Sequence, residues 1–101
     1  MPQMSVTVPH ALGQEKATER LNEKLEQIKE KHQYEVRDLV ETRPDPHTLR
    51  FSFKALGFGV SGECFSRPDS VTIDLDLPVA AMLVQPMIRS QLIRELTSVL
   101  S

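Results

Sequence analysis

Met4, Val6 and Val8 alternate with Gln3, Ser5 and Thr7, the two-residue period of a strand with one buried face. Pro9 ends the run. The period then changes, with Ala17, Leu21, Leu25 and Ile28 spaced four, four and three apart, one stripe of an amphipathic helix over about His10 to His32. From Tyr34 the period of two returns. Tyr34, Val36 and Val40 fall on one side, Glu35, Arg37 and Glu41 on the other, and Leu39 breaks the pattern. Arg43-Pro44-Asp45-Pro46-His47 reads as a loop, because two prolines remove donors and bias the residues before them away from helix.

Leu49, Phe51, Phe53 and Ala55 against Arg50, Ser52 and Lys54 give the cleanest strand in the chain. Gly57 to Phe65 reads as its antiparallel partner, with Phe58, Val60 and Cys64 on one side. Pro68-Asp69 marks a turn, after which Val71, Ile73, Leu75 and Leu77 alternate with Thr72, Asp74 and Asp76 until Pro78. A final helix is predicted from about Val79 to Leu100, with Ala81, Ile88, Leu92, Leu96 and Val99 on its packing face and Val84 and Leu100 at the margins. Pro86 inside it predicts a kink or a fresh start. The order β-α-β-β-β-β-α describes an α+β fold, a curved antiparallel sheet with two helices packed on one face, and excludes a doubly wound sheet.

Composition narrows the class. The 101 residues, 40% hydrophobic and 26% charged, match a globular chain, and residues 1–101 read as a single α+β domain. A net charge of −2 from 14 acidic and 12 basic residues scattered along the chain provides no sustained positive field, so nucleic acid is not an expected partner. Cys64 is the lone cysteine, which rules out an intrachain disulfide. The start Met1-Pro2-Gln3-Met4-Ser5 lacks the pattern of a signal peptide, and no apolar run approaches the roughly 20 residues of a membrane span. The expected location is the cytoplasm.

Several patterns invite a chemical reading. Gly57-Phe58-Gly59-Val60-Ser61-Gly62 spells G-x-G-x-x-G, but a dinucleotide fingerprint needs a helix next, and Glu63-Cys64-Phe65 continues as strand. Hairpin formation and close backbone approach explain these glycines better. Cys64 lies on the apolar side of its strand, where it reads as a core residue rather than an activated nucleophile. His10, His32 and His47 share no ligand spacing, so no metal is expected. Asp74 and Asp76 share a face with Glu63, yet Arg50 and Lys54 belong to the same face, the usual cross-strand pairing of a solvated sheet. Leu83 and Met87 point away from the Ile88-Leu92-Leu96 side; they either pack on the first helix or form an exposed apolar patch for a partner or a lipid-like surface.

Val8-Pro9-His10-Ala11-Leu12-Gly13, Ala17 and Leu21 in a charged helix, Thr48-Leu49-Arg50-Phe51, Gly62-Glu63, and the Leu-rich helix from Pro86-Met87-Ile88 to Leu96 together resemble the polyhydroxyalkanoic acid system protein family, also called the polyhydroxyalkanoate granule region family. The resemblance spans nearly the whole chain. It departs where that family carries a Trp-containing turn before the Leu-Arg-Phe strand: Glu41 to His47 fills that space, and the chain has no Trp. The resemblance implies a small bacterial protein encoded beside genes for polyester storage granules; membership implies no enzymatic activity and brings no functional residues to carry over, so no catalytic residue and no cofactor is expected.

Three function classes follow. The first is a non-enzymatic, granule-associated accessory protein that binds a granule surface or a granule protein, with Leu83 and Met87 as the candidate partner-binding residues. The second is a binder of a small hydrophobic ligand between the sheet and the last helix, as in helix-grip folds, an analogy of architecture alone. The third, least favoured, is a hydrolase or isomerase using Cys64 or the Asp74/Asp76 pair. Edge strands and the Leu83-Met87 patch also leave a homodimer open.

Overall fold

A computed structural model of the protein describes residues 3–55 and 57–101; Met1 and Pro2, part of the segment read for a signal peptide, lie outside the described residues. Strands β1 (Gln3–Pro9), β2 (Val36–Asp45), β3 (Thr48–Ala55), β4 (Phe58–Ser66) and β5 (Ser70–Asp76) form one sheet with helices α1 (Gln14–Lys31) and α2 (Gln85–Leu100). Its spatial order is β1-β5-β4-β3-β2, and every neighbouring pair is antiparallel. This is the expected β-α-β-β-β-β-α architecture. Because β1 and β2 occupy opposite edges, the chain must cross the sheet between them, and α1 makes that crossing.

Alternation decides which face the helices cover. Met4, Val6 and Val8 are buried while their neighbours on β1 are exposed, and they pair with Leu75, Ile73 and Val71 of β5. One core cluster joins Val6, Val8 and Val71 to Ala17 and Leu21 of α1 and Leu96 and Leu100 of α2. A second joins Met4, Leu75 and Leu77 to Ala81. Burial is therefore concentrated on the β1–β5 side of the sheet. Among the inner side chains of β3 and β4, Leu49 is buried, whereas Phe51, Phe53, Val60 and Cys64 are half-buried.

The last helical stretch divides at the proline. Val79–Val84 forms a 3-10 helix, and α2 restarts at Gln85 with Pro86 in its first turn, where a missing N–H breaks no intrahelical bond. At its far end, Arg20 Nη1 of α1 donates to the carbonyls of Val99 and Ser101, satisfying acceptors that a helix end leaves open. α1 starts later than its apolar spacing suggested. His10 precedes it, accepting from Leu12 N–H through Nδ1 at 3.1 Å and meeting the Arg67 carbonyl through Nε2 at 3.2 Å, so this imidazole ties the β1–α1 loop to the β4–β5 turn.

Three expectations for β2 are corrected. Arg37 pairs with Lys54 and Val40 with Ser52, so β2 advances three residues while β3 advances two. Such a bulge exchanges the faces of the residues that follow it, until a second shift between Thr42 and Asp45 exchanges them back. Val40 turns outward, 57% exposed, and Glu41 moves to the inner side as the partner of Phe51. Asp38 supports the bulge with φ 53°. Tyr34 is a turn residue rather than a strand residue and is 88% exposed. The supposed loop is mostly strand: β2 continues through Asp45, and Pro46-His47 alone makes the turn. β2 is an edge strand, where Pro44 removes no required ladder bond.

Candidate functional site

Behind that half-buried part of the sheet lies a partly open cleft of about 390 Å³. Leu25 and Ile28 of α1 form one wall, Ile88 and Leu92 of α2 another, and Phe51 and Phe53 of β3 part of the floor. The two rings stack with centroids 6.1 Å apart. The lining surface is almost wholly apolar, and Lys24 and Glu95 are its charged residues. They face one another across the two helices, Nζ to Oε2 3.1 Å. The hydrogen bond from Lys24 lowers the Glu95 carboxyl below its ordinary range, with the lysine's charge adding to it. Gln91 Nε2 donates to the other carboxylate oxygen at 3.3 Å.

The cleft exists because α1 approaches the sheet unevenly. Ala17 and Leu21 in its first half are buried, whereas Leu25 is half-buried and Ile28 is 39% exposed. Lys29 Nζ then reaches Glu41 Oε1 at 2.7 Å, tying the end of the helix to the edge strand; its pKa is raised chiefly by this bond. A hydrophobic stripe at helical spacing gave no sign of this gap. Four apolar residues in register signal a packing face, not the distance at which it packs.

Leu83 is 94% exposed and Met87 70%, so neither packs on the first helix. Val79, Met82 and Val84 are exposed as well, and no charged residue occurs from Leu77 through Ile88. The 3-10 helix and the start of α2 thus present an uncharged apolar stretch to solvent.

Cys64 lines the cleft, and burial pushes its thiol up to about 11, with Arg43 weakly opposing the shift. At neutral pH it is a protonated, unreactive group. Glu63 pairs across the ladder with Asp74, and Ser61 with Asp76; Arg50 Nε meets Glu63 Oε2 at 3.1 Å. These carboxylates belong to the outer face, as the alternation implied. Among the described residues, no group of three or more His, Cys, Asp or Glu side chains could hold a metal ion, and no helix is long and apolar enough to cross a membrane.

The fold also assembles a polar cluster that the sequence did not disclose. His47 Nε2 lies 3.2 Å from Glu15 Oε1, and His47 Nδ1 lies 3.1 Å from Thr18 Oγ1. Thr18 Oγ1 is 2.8 Å from the hydroxyl of buried Ser66 and 2.7 Å from the Gln14 carbonyl. The chain of contacts fastens the β2–β3 turn to α1 and satisfies Ser66, whose burial would otherwise be costly. The adjoining cavity is about 20 Å³, room for roughly one water molecule.

The fold and the cleft define an α+β protein whose sheet and two helices enclose an apolar recess on one side and carry an apolar stretch on the outside. Within that class the chain belongs to the family described as "Putative polyhydroxyalkanoic acid system protein", whose profile matches residues 4–100, as the sequence resemblance implied. That description names no catalytic activity. No curated protein and no solved structure matches the chain.

Proposed function

We propose that the protein is a cytoplasmic, non-enzymatic accessory protein of polyester storage that docks through Leu83 and Met87 on the granule surface. The observation that carries this reading is the near-complete exposure of Leu83 within a charge-free stretch that also exposes Met82 and Met87. Exposed apolar groups of this kind gain by leaving water, roughly 1.5 to 3 kcal/mol for a side chain fully covered. Family membership supplies the context of polyester storage. Co-sedimentation with native polyester granules tests it: wild type pellets with the granules, and Leu83→Glu stays in the supernatant with an unchanged circular dichroism spectrum. If the variant pellets equally, this surface is not the docking site; if the patch instead holds two copies together, Leu83→Glu lowers the mass in sedimentation velocity.

A second reading is favoured by the cleft. A recess of about 390 Å³ falls within the size range of small-molecule sites, and its apolar lining suits a small hydrophobic ligand gripped between the sheet and both helices.

A further inference from the structure

The cleft has walls that repel charge and a rim that neutralises itself. Leu25, Ile28, Ile88, Leu92 and the Phe51–Phe53 pair offer no partner to a buried polar atom, so whatever lies between them is apolar over its enclosed length. Lys24 and Glu95 at the rim are held together at 3.1 Å and present one donor group and one acceptor group side by side. A carboxylate there would gain from Lys24 and be opposed by Glu95, and an ammonium the reverse. A hydroxyl can accept from Lys24 Nζ and donate to Glu95 at once.

We propose that the cleft binds a single aliphatic chain ending in an uncharged hydroxyl or hydroxyester head, with the chain along the α1 and α2 walls and the head at the Lys24–Glu95 pair. This rests on the second reading above and specifies its ligand class. The ion pair is then a selectivity device rather than a brace between helices: it admits a neutral amphiphile and disfavours a fatty anion. The family's name refers to polymers of hydroxyalkanoic acids, whose ester units combine these features, an alkyl chain with an uncharged polar end.

Titration calorimetry on the full chain tests it with 1-hexanol, 1-octanol, 1-decanol, methyl 3-hydroxydecanoate and decanoate as probes. Affinity should rise about fourfold per methylene along the alcohols, the factor expected for methylene burial, and the hydroxyester should bind at least as tightly as decanol. Glu95→Gln should strengthen decanoate about fivefold or more relative to decanol, because it removes the repulsion that an anionic head meets. Ile28→Trp, at a partly exposed wall position, and Leu25→Trp, deeper in the same wall, should each fill the cleft and abolish binding with the circular dichroism spectrum retained. Saturable binding in which Glu95→Gln leaves the decanol-to-decanoate ratio unchanged overturns the head placement and spares the ligand reading. Affinity that does not depend on chain length, or that survives in both folded Trp variants, overturns the placement of the chain. No saturable binding by any probe overturns the inference and the second reading together, without touching granule docking.

Discussion

Phe51 and Gly62 are register partners across β3 and β4, and the ring of Phe51 stands over the space a side chain on Gly62 would need. A Cβ placed there would come within 2.8 Å of Leu75 Cδ2 and 3.0 Å of Phe51 Cζ, and would also collide with the carbonyl oxygen of Asp74. The floor of the cleft is thus set by a missing side chain. Of the three glycines in the G-x-G-x-x-G run, Gly62 serves close approach and Gly57, at φ 81°, serves the β3–β4 turn.

Gly62→Ala should therefore destabilise the fold by about 1 to 3 kcal/mol, the range for overpacking a filled site. The side chains could shift, but the Asp74 carbonyl is fixed in the β4–β5 ladder. Urea denaturation checks this, with Gly59→Ala as the control, since nothing lies within 4 Å of a Cβ at Gly59. Equal midpoints for the two variants would contradict the close-approach account.

Cys64 should resist alkylation. With its thiol pushed from 9.0 up to about 11, the thiolate fraction at pH 8 falls about a hundredfold, and iodoacetamide labelling should slow by a similar factor relative to urea-unfolded protein. The same shift affects stability. Because the folded pKa lies above the unfolded one, the contribution is complete below pH 9 and disappears as pH rises towards 11, about 3 kcal/mol across the window. Cys64→Val should give a flatter stability profile there, and fast labelling of the folded wild type would rule out a thiol held neutral by its surroundings.

The strands were legible because the sheet buries one face, and that writes an alternation into β1, β3 and β5 directly. The bulge at Asp38 and Leu39 was not, since one extra residue leaves hydrophobicity unchanged and alters only which face Val40 and Glu41 occupy. Leu39, the residue that broke the alternation, was its trace in the sequence. Leu83 and Met87 were visible as misplaced apolar residues, but their exposure depends on where Pro86 restarts the helix. The cleft was illegible because Leu25 and Ile28 satisfy the same periodicity as Ala17 and Leu21 while standing farther from the sheet. Likewise, Glu15, Thr18, His47 and Ser66 come together only after α1 crosses from one sheet edge to the other.

Leu83→Glu and Met87→Glu should each alter stability by no more than about 0.5 kcal/mol, as expected for exposed positions outside any packed contact. Leu96→Ala, at a position buried in the core, should lose about 2 to 5 kcal/mol. Thermal and urea melts of the three variants check the contrast. It also guards the granule experiment, since a Leu83→Glu variant that unfolded would fail to sediment for the wrong reason.

Asp45 should make the β2–β3 turn sensitive to acid. Its Oδ1 accepts the His47 N–H at 2.8 Å and its Oδ2 accepts the Thr48 hydroxyl at 2.9 Å, and these bonds, the backbone one foremost, hold the carboxyl below its ordinary 3.8. A depressed folded pKa means that the stabilisation is present above the unfolded value and is lost as pH falls through the folded one. Asp45→Asn keeps one acceptor oxygen and carries no charge, so its melting temperature should lie below that of wild type at pH 5 and above. Below about pH 4, near the unfolded carboxylate value, the two should converge as the wild-type carboxyl takes up its proton. Comparing the pair cancels the other carboxylates, including Glu15 beside His47, and a margin that persists undiminished at pH 2 would mean that the charge on Asp45 contributes nothing to the turn.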